Sequence, residues 1–204
     1  MAFDFSKYEV YTSYQSIYCY EETNILINKL NIRDNAALKT AEAEITFVKQ
    51  EFLLDSGITG RFSETHLKNI HKTLFEDIYP FAGKYRKEQI GKANTWFYPP
   101  DAIAAAIQKI LSQLKEDKYL KNLSSDDFKD RAAYYMAELN AIHPFREGNG
   151  RTLREFMRQL FLYNSYELDW SRCDKEDILE AFIISYDDHT ALIPIIEKCA
   201  IPGN

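Results

Sequence analysis

The chain has no surplus of basic charge: 25 Lys and Arg against 31 Asp and Glu give a formal net charge of −6 over 204 residues. Nucleic-acid backbones are held by clustered Lys and Arg, so a nucleic-acid-binding surface is not expected. A local basic pocket in an acidic protein suits a small anionic ligand better. Cysteine is scarce too. Cys19, Cys173 and Cys199 are odd in number and form no CxxC pair, which predicts free thiols in a reducing compartment and makes the cytoplasm the expected location. The opening residues Met1-Ala2-Phe3-Asp4-Phe5 carry no basic region and no apolar run, so no signal peptide is expected. No stretch approaches the ~18 uninterrupted apolar residues of a membrane span. Repeats and low-complexity segments are missing as well. What is present, 46% hydrophobic and 27% charged residues, belongs to a globular chain. Its length suits one sizeable core, so residues 1–204 are expected to form a single domain.

The periodicities predict an all-α domain with one small β-hairpin. Tyr8, Tyr11, Tyr14 and Tyr18 recur at roughly helical spacing and suggest a helical, aromatic extension over residues 1–37 that packs on the core. Asp34 is placed to cap a helix with Ala37, Leu38, Ala41, Ile45, Val48, Phe52 and Leu53 on its apolar face. Ser63 is placed to cap the next, which carries His66 and His71. These two lie five apart, not the four that aligns zinc ligands on a helix, so packing or capping is the expected role. Between Tyr85 and Tyr98, two strand-like segments flank the turn Gly91-Lys92-Ala93-Asn94, and Pro99-Pro100 ends the second. An isolated hairpin leaves at least one edge able to accept an extended peptide by strand addition. Asp101 is expected to cap a helix through Leu114, and Asp126 or Asp127 to start one that delivers His143 at its C-terminal end. Pro144 stops that helix.

The informative stretch runs from Ala141 to Arg154: AIHPFREGNGRTLR. Glycines on both sides of Asn149 let the backbone approach a ligand closely, and successive N–H groups in such a turn converge on an anion. Leu153, Phe156, Met157, Leu160 and Phe161 follow at helical spacing, so the turn opens a helix whose N-terminus favours phosphate. Arg151 and Arg154 lie three apart, on one side of the first turn, and offer guanidinium forks. Glu147 is explained beside phosphates if it helps to hold Mg²⁺, which takes one or two carboxylates plus phosphate oxygens. His143 is the one group in the stretch that takes a proton near neutral pH. The whole reads as a Mg-nucleotide site with a base at its edge.

His143, Phe145, Glu147, Gly148, Asn149, Gly150, Arg151 and Arg154 fill every fixed position of HxFx(D/E)GNGRxxR, and the chain thereby resembles the Fic family. The phrase from His66 to Gly83 resembles the family's helical element and the turn after it. The resemblance covers about Leu38 to Leu192. It implies transfer of AMP from ATP, with Mg²⁺, to a Ser, Thr or Tyr hydroxyl of a target protein. By that resemblance His143 is the base, Asn149 and Arg151 contact the α/β region of the nucleotide, and Arg154 orients the γ-phosphate. Gly148 and Gly150 line the phosphate turn, Glu147 binds Mg²⁺, and Pro144 and Phe145 are structural. The hairpin, called the flap, is implied to align the target chain along Ile90, Gly91, Lys92, Ala93, Asn94, Thr95, Trp96 and Phe97.

One departure bears on regulation. Many family members are restrained by an (S/T)xxxE(G/N) helix whose Glu pairs with the second motif arginine. Here Thr40 to Glu44 is followed by Ile45, and Ser112 to Glu116 by Asp117, so neither completes the pattern. Arg154 is therefore expected to meet a Glu supplied in trans by a small antitoxin-like protein. Two alternatives stay open: the same fold moving UMP, phosphate or phosphocholine, or a non-catalytic nucleotide-dependent interaction module.

Overall fold

Local capping chemistry sets most element boundaries. In the computed structural model, which describes residues 9–10, 15–56, 60–92 and 95–203, Asp34 accepts the Ala37 N–H at 2.8 Å and starts α1, Asn35–Ser56. Ser63 accepts the His66 N–H at 3.3 Å and starts α2, Glu64–Phe75. The hairpin follows as β2, Ile90–Lys92, and β3, Thr95–Trp96. Helix α3, Ile103–Glu116, begins without a bond from Asp101; the Ala102 N–H donates to the Pro99 carbonyl instead. Helix α4, Ser125–Ile142, begins one or two residues earlier than the sequence suggested and is capped by Ser124. Ser124 accepts the Asp127 N–H and donates to the Asp127 carboxylate at 2.6 Å, a reciprocal cap. Then come α5, Asn149–Tyr163; β4, Tyr166–Leu168; α6, Lys175–Ile184; α7, Ile193–Cys199; and β5, Ala200–Pro202. The fold is mostly helical with a small hairpin, as expected, and also has a β4–β5 pair that the sequence had not suggested.

Contacts group the described residues into two units. The first draws on Met1–Thr59, Lys68–Ala104 and His143–Asn149; the second on Gly60–Leu67, Ala105–Ile142 and Gly150–Asn204. In the first unit Leu53, Ile70, Leu74, Phe75, Ile78, Ile90 and Phe145 are fully or almost fully buried. The hairpin in this unit is not isolated. A short strand β1, Glu9–Val10, pairs antiparallel with β2 through Glu9 opposite Gly91 and Val10 opposite Ile90. In the second unit α4 buries Phe128, Ala132, Tyr135, Met136 and Leu139, and α5 buries Leu153, Phe156, Met157, Leu160 and Phe161. Phe128 meets Phe161 edge-on with centroids 4.9 Å apart.

Two expectations about the N-terminal part change. Residues 15–30 form turns and a single bridge between Cys19 and Leu26, not a helix. Tyr18 packs edge-on against Phe81 and its hydroxyl accepts the Lys87 N–H, while Tyr20 lies against the Arg33 guanidinium. Tyr8, Tyr11 and Tyr14 lie outside the described residues, as do Ala93 and Asn94 of the flap turn. Helix α1 buries Leu38, Thr46 and Leu53, but Val48 and Phe52, placed on the apolar face by periodicity, are 66% and 55% exposed beside exposed Phe47 and Leu54. Apolar residues encircle the end of this helix, so spacing alone could not choose the covered side.

Candidate active site

Helix α4 ends at Ile142, where Pro144 disfavours an ordinary helical conformation at its predecessor. His143 turns left-handed instead, with φ +49°, a state that costs a non-glycine residue on the order of 1 kcal/mol. Two contacts hold it there. Its carbonyl accepts the Arg86 Nε–H at 2.9 Å, and its ring lies flat on that of Phe97, centroids 3.8 Å apart and planes 13° apart. Little of His143 reaches solvent.

The loop after it is closed by its own residues. The Phe145 N–H donates to Asn149 Oδ1, and Asn149 Nδ2 donates back to the Phe145 carbonyl, both at 2.8 Å. The Asn149 amide is thus used at both ends inside the loop, and a phosphate there would meet main-chain N–H groups of the opening helix turn. Phe145 is 1% exposed and its ring stacks on that of His71 at 3.8 Å. His71 Nδ1 accepts the Gly83 N–H at 2.8 Å, so its proton sits on Nε2, which donates to the Glu147 carbonyl at 3.0 Å. The helical histidine therefore acts as a brace between the turn at Gly83 and the motif loop. Gly148 is required on two counts: its φ is +77°, and a Cβ there would stand 2.2 Å from the Phe75 ring. Glu147 is half-buried, with one carboxylate oxygen accepting the Gly148 N–H at 2.8 Å.

Helix α5 carries the chain out of that loop and into the second unit, where Gly150, Arg151 and Arg154 belong. A Cβ on Gly150 would lie 3.3 Å from an Arg154 terminal nitrogen, so the Arg154 fork folds back over the first turn. Burial, and then the positive charge of Arg151, pull the Arg154 guanidinium down to about 10. It stays protonated at neutral pH, and an anion arriving beside it would relieve both effects. In the same unit Glu155 accepts two bonds from Arg158 and one from Gln159, and Gln159 Oε1 accepts from His66 Nε2 at 2.9 Å. His66, like His71, has a structural partner on each ring nitrogen, since its Nδ1 accepts the Phe62 N–H. His189 lies 3.3 Å from Asp130.

Arg86 stands in the strand-like segment before the hairpin turn, where the sequence assigns it no functional role. Its side chain is 2% exposed, and besides the His143 carbonyl it reaches the carbonyls of Glu88 and Tyr98, while its N–H donates to Pro144. A charged residue in a strand-like segment gave no hint of burial, because all its partners but one are distant in sequence. Phe97 was assigned to the flap as a target-docking residue; in the structure it is buried against His143, whereas Trp96 is exposed. Among the described residues no three His, Cys, Asp or Glu side chains gather where they could hold a metal ion by themselves.

Comparison with known proteins identifies the family and the fold. Residues 61–161 match the model of the Fic/DOC family. Over 172 residues the chain is 41% identical to protein adenylyltransferase VbhT of Bartonella schoenbuchensis, covering 84% of this chain and 36% of that protein, so it spans about a third of VbhT's length. It is 34% identical over 184 residues to "Probable protein adenylyltransferase y4lH" of Sinorhizobium fredii, covering 89% of this chain and 93% of the relative. In structure it resembles the N-terminal Fic domain of a VirB-translocated Bep effector from Bartonella quintana with bound ADP, at a TM-score of 0.84 and 26% identity, covering 92% and 95% of the two chains. The fold also matches BepC of Bartonella tribocorum with bound AMPPNP, at a TM-score of 0.83, 24% identity and coverage of 92% and 97%. A full-length relative at this identity, the family match and the shared fold together place the chain in the Fic/DOC family.

Proposed function

We infer that the chain is a protein adenylyltransferase that moves AMP from ATP to a hydroxyl of a target protein. The observation that carries this reading is an imidazole fixed in backbone and ring, at the head of a self-closed loop that runs into a helix opening with Asn149 and Gly150 and bearing two arginines. Relatives that are 41% and 34% identical bear the name adenylyltransferase, and a relative of the same fold binds ADP.

In the reaction the target hydroxyl oxygen forms a bond to the α-phosphorus of ATP as its proton passes to the His143 imidazole. The bond from that phosphorus to the bridging oxygen breaks, and pyrophosphate leaves. Main-chain N–H groups of the first turn of α5, with Arg151 and Arg154, offset the charge that builds on the phosphates. The single half-buried carboxylate of Glu147 suits Mg²⁺ held jointly with phosphate oxygens; when bound, the ion supplies further neutralisation of the leaving pyrophosphate. The target chain lies along the hairpin, where β1 already covers the β2 edge and the β3 edge has no strand partner besides β2 among the described residues.

Regulation in trans is part of the proposal. Glu44 and Glu116, the carboxylates nearest to an inhibitory pattern, are both exposed. A Glu from a small antitoxin-like protein would be favoured beside Arg154, whose charge is destabilised by burial. The exposed apolar strip Phe47, Val48 and Phe52 of α1 is the kind of surface a protein partner covers. With three cysteines that form no disulfide, and no described helix long and apolar enough to cross a membrane, the cytoplasm is the proposed setting. The test is a lysate incubated in parallel with the four α-labelled nucleoside triphosphates. Protein labelled most strongly from ATP supports the reading; labelling from UTP alone would favour UMP transfer, and no labelling would leave a binding module.

A further inference from the structure

A guanidinium can serve three acceptors in one plane, which an ammonium cannot do with fixed geometry. Arg86 uses that capacity at a junction. Nε donates to the carbonyl of His143 at 2.9 Å, Nη1 to the carbonyl of Glu88 at 2.8 Å, and Nη2 to the carbonyl of Tyr98. Glu88 lies two residues before β2 and Tyr98 two residues after β3, so one side chain grips both roots of the hairpin and the backbone of the base. Its own N–H adds a fourth tie, to the carbonyl of Pro144 at 2.9 Å. All these residues belong to the first unit. Placing a guanidinium where it is 2% exposed is costly unless its donors are met, and here each of its three nitrogens meets a main-chain oxygen.

We propose that Arg86 is a positioning residue for group transfer: it sets the distance between the hairpin that carries the acceptor chain and the imidazole that takes the acceptor's proton. The inference rests on the adenylyl-transfer reading. His143 stands left-handed at the end of α4, a disfavoured backbone state, and the bond from Arg86 to its carbonyl is one of the contacts that hold it there. The same side chain fixes both hairpin roots, so any error in the hairpin is carried to His143 and the two move as one body. A lysine keeps the charge but loses the fork, and a glutamine keeps hydrogen-bonding reach without the charge.

The experiment compares wild type with Arg86→Lys and Arg86→Gln. Three quantities are measured: binding of Mg-ATP, melting temperature, and labelling of lysate proteins from α-labelled ATP, with rates expressed per bound ATP and taken in the cold if a variant melts early. A misplacement of about an ångström between reacting groups costs on the order of 100-fold in rate. Arg86→Lys is expected to lose labelling on that scale while its affinity for Mg-ATP stays within a few-fold of wild type. Labelling per bound ATP equal to wild type in either variant would overturn the proposal, as would a loss of labelling matched by the loss of ATP binding, which is what a merely structural arginine would cause. Wild-type protein that labels nothing would remove the underlying reading and this inference with it; active wild type and equally active variants would remove the inference alone.

Discussion

The ring of Phe97, the first residue after strand β3, lies parallel to the ring of His143 at a centroid separation of 3.8 Å. The base is therefore referenced to the hairpin twice, by its ring through Phe97 and by its carbonyl through Arg86. An aromatic pair of this kind contributes about 0.5–1.5 kcal/mol beyond the area it buries. Phe97→Leu keeps the apolar cover and removes the stack, so labelling from α-labelled ATP is expected to fall by roughly 2- to 10-fold. Mg-ATP binding, measured by titration calorimetry, should not change. Labelling at the wild-type rate would show that the stack does not orient the base.

Gly148 is held by both its backbone and its surroundings. A methyl group there would collide with Phe75, itself fully buried, and would sit on a backbone at φ +77°. Gly148→Ala combines overpacking with left-handed strain, and a destabilisation of about 3 kcal/mol is expected. Urea unfolding monitored by circular dichroism measures it. Gly150→Ala meets only a terminal side-chain nitrogen of Arg154, at 3.3 Å, in an exposed helical turn, so a shift of a few tenths of an ångström in that side chain accommodates it and stability should change little.

Asp117 gives the fold an acid-sensitive tie in the second unit. Its carboxylate accepts from the Tyr135 hydroxyl and from Arg131; burial opposes ionisation, but these two bonds outweigh it and hold the carboxyl below its usual range. A depressed folded value contributes stability that is fully present above the unfolded carboxyl's value of about 3.9 and lost as pH falls through the folded value. The pair is about a third exposed, so the contribution is at most ~1 kcal/mol. Asp117→Asn should flatten the pH dependence of melting temperature in that acid window and lower stability slightly at neutral pH. A variant with an unaltered acid limb would refute the assignment.

Cys199 is fully buried, and burial, followed by the neighbouring Cys173 thiol at 3.1 Å, pushes its own thiol up to about 12. The thiolate is the reactive form, so Cys199 should resist iodoacetamide near neutral pH in the folded protein and react once urea unfolds it. Mass spectrometry of tryptic peptides reads the difference. Rapid alkylation of native Cys199 would contradict the packing described.

Much of the site could be read from the chain because its chemistry is local. Pro144 ends one helix and glycines flank Asn149 within a few residues, and the caps at Asp34 and Ser63 act over three positions. What stayed hidden depends on partners far away in sequence. Arg86 reads as a surface charge until His143, 57 residues on, is brought beside it. Strand β1 is two residues long and has no periodicity to detect; it exists because β2 offers an edge. Tyr18 has helical spacing from Tyr14, yet Tyr18 and Tyr20 lie among turns and pack against Phe81 and Arg33. Along α1, Val48 and Phe52 share a face that stays largely exposed.

The most direct measurement uses two labels on one co-substrate. Purified protein is incubated with lysate and Mg²⁺ and with ATP labelled at either the α- or the γ-phosphorus, as wild type and as His143→Ala, and Mg-ATP binding is measured on the same samples. The account predicts that wild type transfers the α label and not the γ label, and that His143→Ala binds Mg-ATP but transfers neither. Transfer of the γ label, or undiminished α transfer by His143→Ala, would contradict it.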